Sequence, residues 1–344
     1  MKQPRRVYST GDRQVDERLR ELVADLRPTD AQLVFEMMAT ALKLAKDPIS
    51  RLDRKIANTA LKEMRYAFSV FAPYRDVRKA TIFGSSRTRK EDPEYALARD
   101  FARKTAERGW MIVTGAGPGI MEAGHEGAGG ARSFGVNILL PFEGGANPVI
   151  AGDPKLINFK YFFTRKLMFI KESDAFVLLP GGFGTLDEAF ELLTLIQTGK
   201  SDLHPIVMLD VPGGTYWKSF DRYVKQELLG HGYISESDLF LFTYTDDIDR
   251  AVEELETFYR VYHSQRYVRD RLVLRLNKMP AQQDLARLSE EFRDILSGEI
   301  EPVSPSEGEI ADNDVVELPR ISLKFDRVHS GRLRQLVDRL NELA

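Results

Sequence analysis

DAFVLLPGGFGTLDEAFE, residues 174–191, opens with an apolar run from Ala175 to Leu179 that is short enough for one buried strand. The run stops at Pro180, which cannot continue a ladder. Gly181, Gly182 and Gly184 follow, a backbone able to turn sharply and approach a ligand because no Cβ intervenes. From Thr185 the apolar residues Leu186, Ala189, Phe190, Leu193 and Ile196 recur at helical spacing, so the order is strand, glycine turn, helix. Such a turn aims unpaired backbone N–H groups at one point, and a helix start carries roughly half a positive charge. The combination is a seat for phosphate.

A triphosphate-binding loop needs Gly-Lys-Ser/Thr, and no lysine stands in this turn. It carries two carboxylates instead, Asp187 and Glu188, in the first stretch of the helix. Two readings of Glu188 compete. Thr185-Leu186-Asp187-Glu188 fits a capping box, in which Glu188 bonds back to the Thr185 amide. Alternatively, Glu188 is an acid–base or charge-stabilising group beside a bound phosphate. Magnitudes separate the two: losing a cap costs about 0.5–2 kcal/mol of stability, whereas losing a positioned acid–base group costs about 100- to 10,000-fold in rate.

The strands and helices around this turn extend the pattern. Thr81-Ile82-Phe83 feeds Gly84-Ser85-Ser86, with a helix starting near Pro93. Met111 to Thr114 feeds Gly115-Ala116-Gly117-Pro118-Gly119 and a helix from Ile120 to Gly127. A third strand, Val136 to Leu140, is followed by a loop with Gly144 and Gly145 and a helix from Phe162 to Lys171. Pro205 to Asp210 and Leu239 to Phe242 add two strands, with helices near Trp217 to Leu229 and Asp247 to Tyr262. Strands spaced by helices of this length predict a parallel sheet covered on both faces, a doubly wound α/β (Rossmann-like) fold over residues 78–264. In such folds ligands bind at the carboxyl ends of the strands, where all three glycine turns fall. Gly115–Gly119 is an incomplete dinucleotide fingerprint, because Ile120 occupies the last glycine position.

The ends differ from this core. Residues 1–77 read as a helical N-terminal extension: two or three helices over 14–72, with Leu33, Val34, Met37, Met38, Ala41 and Leu42 as the apolar stripe. Residues 265–344 read as a small α+β appendage. Leu272, Leu274 and Leu276 alternate as a strand, and Leu285, Leu288, Phe292 and Leu296 fit a helix. An acidic linker near 299–314 precedes strand alternation at Ile321, Leu323 and Phe325 and a helix from Arg332 to Leu343.

Composition narrows the function classes. With 344 residues, 43% hydrophobic, 29% charged and a net charge of −3, the chain has the makings of an ordinary folded protein and no basic field to draw nucleic acid. The absence of cysteine excludes disulfides and thiolate metal sites. His125-Glu126 begins like a zinc helix, but no second histidine follows at helical spacing, so no metal site and no cofactor are expected. The opening MKQPRRVYSTGDRQ lacks the apolar core of a secretory signal, and no run is apolar and long enough to span a bilayer; a cytoplasmic protein without membrane contacts is expected.

PGGFGTLDE resembles the PGGxGTxxE signature of the LOG (Lonely Guy) family, nucleotide 5′-monophosphate phosphoribohydrolases often labelled lysine decarboxylases. TGAGPGIMEA is similar to that family's GGxxGxM signature, with Ala116 in place of a common glycine. Phe162-Phe163-Thr164-Arg165-Lys166-Leu167-Met168 is similar to its RKxxM helix. The resemblance spans roughly residues 78–262 and implies hydrolysis of the N-glycosidic bond of a nucleoside 5′-monophosphate such as AMP or a cytokinin-type adenine nucleotide. It implies Arg165 and Glu188 as the catalytic pair, with Arg165 orienting Glu188. Gly84, Ser85, Gly117, Gly119, Lys166, Gly181, Gly182, Gly184 and Thr185 would hold substrate, and the protein would be a homo-oligomer. Without the motif, a solvated basic pair on an amphipathic helix is the favoured reading of Arg165-Lys166. A carrier that binds a phosphorylated ligand without cleaving it has the same glycine turns and is the alternative function.

Overall fold

The computed structural model describes residues 8–140 and 145–343; Gly144, expected in the loop before the Phe162 helix, lies outside them. Two compact units divide the chain, Met1–Arg65 and Tyr66–Ala344. The first is helical. α1 (Arg13–Leu22) starts where the Asp12 carboxylate accepts from the amides of Gln14 and Val15. α2 (Pro28–Lys46) begins at a proline, where no N–H is needed, and α3 (Arg51–Phe71) runs past the end of the unit. Leu19 and Val23 pack on Phe35 and Ala39 with Val34 and Met38 partly buried against them, so the expected stripe is met in part: Leu33, Met37 and Leu42 are exposed.

In the second unit strands and helices alternate: β1 (Lys79–Phe83), α4 (Pro93–Glu107), β2 (Met111–Thr114), α5 (Ile120–Ala128), β3 (Ser133–Ile138), β4 (Leu156–Phe159), α6 (Phe162–Glu172), β5 (Ala175–Leu178), α7 (Phe183–Gln197), β6 (Ile206–Leu209), α8 (Tyr216–Tyr223), β7 (Thr243–Thr245) and α9 (Ile248–Phe258). The seven strands form one parallel sheet in the order β4-β3-β2-β1-β5-β6-β7. Thr81 of β1 stands opposite Val113 on one side and Phe176 on the other. Helices cover both faces, which is why Ile112, Val113, Phe176, Val177, Ile206 and Val207 form unbroken buried runs and do not alternate. The fold is the doubly wound α/β architecture. Its strand order reverses at β1, between β2 and β5, and a crevice opens there beyond the strand ends.

Several local expectations are corrected. Leu239–Phe242 is no strand: Glu236–Leu241 is a 3₁₀ turn, closed by the Ser235 amide donating to the Asp238 carboxylate, and β7 follows it. The third strand begins at Ser133 and ends at Ile138, and β4, a short edge strand with alternating burial, precedes the Phe162 helix. α9 ends at Phe258, and Tyr262 opens a new strand.

That strand belongs to a second sheet. β8 (Tyr262–Val268), β9 (Arg271–Leu276), β10 (Glu301–Pro302) and β11 (Arg320–Leu323) lie antiparallel in the order β10-β11-β9-β8, with α10 (Gln282–Glu291), α11 (Glu307–Asp312) and α12 (Ser330–Asn341) between and after them. Leu296, expected in a helix, forms a β-bridge with Phe325. The 299–314 stretch is not a linker. It holds β10 and α11, and Glu309 is 1% exposed because its charge is met by Arg275 at 2.9 Å and Arg320 at 2.7 Å. The division between compact units falls after Arg65, within α3. Phe71 stacks on Phe134 at 4.4 Å, joining the end of α3 to the parallel-sheet core. The Asn341 Oδ1 accepts from the amides of Val261 and Tyr262, and Arg334 pairs with Glu254, holding the appendage to that core.

Candidate active site

Three glycine turns leave the carboxyl ends of β1, β2 and β5 and lock together. The Ser85 amide donates to the Pro180 carbonyl at 3.2 Å, and the Ile120 amide donates to the Ser85 carbonyl at 3.1 Å, so the first turn is knitted to both others. Gly119 has φ +68°, and a Cβ there would run into the Ser85 and Ser86 backbone. A Cβ on Gly181 would collide with the Thr185 side chain. Gly182 and Gly184 differ: a Cβ on either would meet nothing within 4 Å, so what their bareness leaves open is the space in front of the turn.

Buried polar groups brace the middle turn. Ala116 sits at φ +63°, where a side chain is strained, and its carbonyl accepts from the Asn147 amide at 2.8 Å and from Asn147 Nδ2 at 3.1 Å. His125, fully buried, contacts Asn147, Thr114 and the Phe134 carbonyl, and burial holds its imidazole below the usual range, neutral at pH 7. That role accounts for the histidine that opened like a zinc motif; no group of metal-ligating side chains is present among the described residues.

The turns surround a cleft of about 990 Å³. Gly84, Ser85, Gly117, Arg165, Gly181, Gly182, Gly184, Thr185 and Glu188 all line it. Gly119 lies buried beneath Ser85 and Ser86 and does not. Lys166 does not line it either. α7 points its N-terminus into this space, and the amides of Phe183, Gly184 and Thr185 have no acceptor within the helix. Met121, Leu139, Phe162 and Phe169 give the opposite wall an apolar character suited to a planar ring.

α7 begins at Phe183 with Gly182 as its cap, two residues before the expected start, and no side chain caps it. Thr185 and Glu188 therefore both lie inside the helix, and the capping box does not form. Glu188 is free of that duty. Its side chain is 11% exposed, and burial pushes its carboxyl up to about 7, with Lys166 and Arg165 pulling it down and Glu191 and Asp187 pushing it up. The cation at ion-pair distance is Lys166, 3.9 Å from Glu188 Oε2, rather than the expected Arg165. Arg165 anchors its Nε on the Val136 carbonyl at 2.8 Å, lays its guanidinium where a Gly115 Cβ would be, and reaches Glu188 as a nearby positive charge.

Tyr216 was not anticipated. It lines the cleft, and its hydroxyl donates to the Gly181 carbonyl at 2.6 Å, fixing the glycine turn that leads into α7. The signal was available, since Gly213-Gly214 after β6 repeats the order of strand, glycine turn and helix. Asn147 carries no such signal, because its partners come from a turn distant in sequence.

A family model described as "Possible lysine decarboxylase" matches residues 119–255. That label asks for a pyridoxal Schiff-base lysine, and no described residue lining the cleft is a lysine, so the lining does not fit such a cofactor. The cytokinin riboside 5′-monophosphate phosphoribohydrolase of Mycobacterium tuberculosis is 32% identical over 162 residues, covering 45% of this chain and 82% of that one. The probable cytokinin riboside 5′-monophosphate phosphoribohydrolase LOGL3 of rice (Oryza sativa subsp. japonica) is 30% identical over 194 residues, covering 54% and 86%. Among solved structures, the alignment with the molybdenum cofactor carrier protein of Chlamydomonas reinhardtii covers 52% of this chain and 96% of that one at 18% identity, with a TM-score of 0.36. On its motifs, its sheet and these relatives, the chain belongs to the LOG family.

Proposed function

We propose that the protein hydrolyses the N-glycosidic bond of nucleoside 5′-monophosphates, releasing the base and ribose 5-phosphate. One observation carries this reading. The bare turn of Gly182 and Gly184, the open N-terminus of α7 and the half-buried Glu188 face one cleft, so an anion seat and a tunable carboxylate stand one helical turn or so apart. The amides from Gly182 to Thr185 hold the phosphate and convert its binding energy into alignment of the sugar. Arg165 adds a fixed positive charge beside the ribose phosphate.

As the bond from the anomeric carbon to the base nitrogen breaks, the electron pair leaves with the base and positive charge develops on the ribose ring. Ionised Glu188 stabilises that charge and takes a proton from the attacking water, whose oxygen bonds the anomeric carbon. The base leaves protonated from solvent. The apolar wall of Met121, Leu139 and Phe162 offers the base a face without reading its edges, which admits adenine nucleotides with or without an apolar N6 substituent.

The test is incubation of the purified protein with a panel of nucleoside monophosphates and the matching nucleosides, with released bases identified by chromatography. Base release from AMP or an N6-substituted adenine nucleotide, with adenosine at least about 100-fold slower, is expected from the lost phosphate anchoring. Saturable binding of AMP with no base released would make the protein a carrier and overturn the proposal.

A further inference from the structure

Arg165 and Lys166 are neighbours on α6, and at 3.6 residues per turn they cannot face the same way. Arg165 faces the cleft; Lys166 turns to the flank of α7 and is absent from the cleft wall. Its side chain is 13% exposed, and its Nζ lies 2.8 Å from Asp187 Oδ2, 2.6 Å from Glu191 Oε2 and 3.9 Å from Glu188 Oε2. These three acids occupy one side of α7, with Asp187 and Glu191 spaced i,i+4 and Glu188 and Glu191 spaced i,i+3, where like charges repel. Lys166 and Arg165, both on α6, are the cations acting on Glu188; Asp187 and Glu191, from α7 itself, are its acidic neighbours. The ammonium is engaged by protein carboxylates, of which Asp187 and Glu188 line the cleft while Glu191, like Lys166 itself, does not.

We propose that Lys166 is a positioning residue: from the flank of α7, without lining the cleft itself, it neutralises Asp187 and Glu191 and so keeps the Glu188 carboxylate charged and aimed at the substrate. The inference deepens the hydrolase reading and rests on it for its kinetic part. Without Lys166, two carboxylates face Glu188 with only Arg165 to oppose them, and the proton is held more tightly. Asp187 is the looser member of the cluster, with a side chain 62% exposed, so its removal acts in the opposite sense at little structural cost.

The experiment compares wild type with Lys166→Met, Lys166→Arg and Asp187→Asn by two readouts. The first is the pH profile of kcat, and the second is a ¹³C NMR titration of the Glu188 carboxyl, assigned with Glu188→Gln. Lys166→Met is expected to move the rising limb and the NMR midpoint up by about one to two pH units. Its kcat at neutral pH falls about tenfold and returns above pH 9, with KM little changed. Lys166→Arg restores the wild-type profile, and Asp187→Asn moves both midpoints down. A rise in KM with unmoved midpoints would make Lys166 a substrate ligand and overturn the inference, as would midpoints that stay fixed in Asp187→Asn should Lys166→Met not fold. The NMR titration needs no turnover, so absence of base release from wild type would sink the hydrolase reading while leaving the positioning role to be judged on the midpoints.

Discussion

Thr185-Leu-Asp-Glu188 and Ser306-Glu-Gly-Glu309 share the pattern of a capping box, yet the two glutamates end in opposite states. In α11 the pattern is honoured. Ser306 caps the helix, Glu309 folds back so that its carboxylate accepts from the Ser306 amide at 2.9 Å and hydroxyl at 2.8 Å, and Arg275 and Arg320 close the other oxygen. Burial pushes the Glu309 carboxyl up, but the Ser306 donors and the arginines outweigh it and hold it down at about 2. In α7 the glycine turn starts the helix earlier, so Glu188 receives no such bonds and burial prevails, pushing it up to about 7. The cations beside Glu188, Lys166 at 3.9 Å among them, offset its burial only in part, whereas the Ser306 hydrogen bonds and the closer arginines of Glu309 more than offset it. The satisfied glutamate holds the fold, and the unsatisfied one is left able to exchange a proton near neutral pH.

The strongest way to break this contrast is to neutralise each glutamate. Glu188→Gln is expected to lower base release about 100- to 10,000-fold. Its effect on stability has the opposite sign. A folded carboxyl raised above its unfolded value contributes stability below pH 4.5 that is lost as pH rises through about 7. Thermal melts at pH 8 should therefore show Glu188→Gln more stable than wild type, by about 1–3 kcal/mol. Glu309→Gln should destabilise by about 3–5 kcal/mol in denaturant titrations, because it leaves Arg320 buried without a counter-charge and Arg275 with Asp314 alone. Turnover of the folded variant should stay near wild type. A stable Glu309→Gln, or an active Glu188→Gln, breaks the division of labour.

Acid sharpens the comparison. The rate profile should rise with an apparent midpoint near pH 7 that Glu188→Gln abolishes. Glu309, depressed in the fold, contributes stability present above pH 4.5 and lost as pH falls through about 2. Urea midpoints measured between pH 5 and 2 should fall less steeply in Glu309→Gln than in wild type. The smallest expected effect is that of Ser306→Ala, about 0.5–2 kcal/mol from the lost cap. In that variant Glu309 should titrate at higher pH, a step toward the condition of Glu188.

The core of this molecule is legible in its sequence because β1, β2 and β5 are short, mostly apolar runs that each lead into a glycine turn. Those turns also announce the cleft, since a strand end, a bare turn and a helix start leave few other places for an anion. What the chain does not announce is direction. The side of α6 on which Lys166 emerges depends on how that helix is rotated against α7, and adjacent Arg165 and Lys166 look alike in a motif. Pattern matching likewise cannot place a helix start to within two residues, and at α7 two residues separate a capping glutamate from an unsatisfied one. The acidic stretch 299–314 misleads for a related reason: its Glu309 is buried only because Arg275 and Arg320 come from strands elsewhere in the sequence to meet it.

The most direct measurement is a crystal structure of the protein with ribose 5-phosphate. The phosphorus should lie within hydrogen-bond reach of the amides between Gly182 and Thr185, with the anomeric carbon facing the Glu188 carboxylate. A phosphate seated away from the α7 N-terminus, or an anomeric carbon turned from Glu188, would contradict the account.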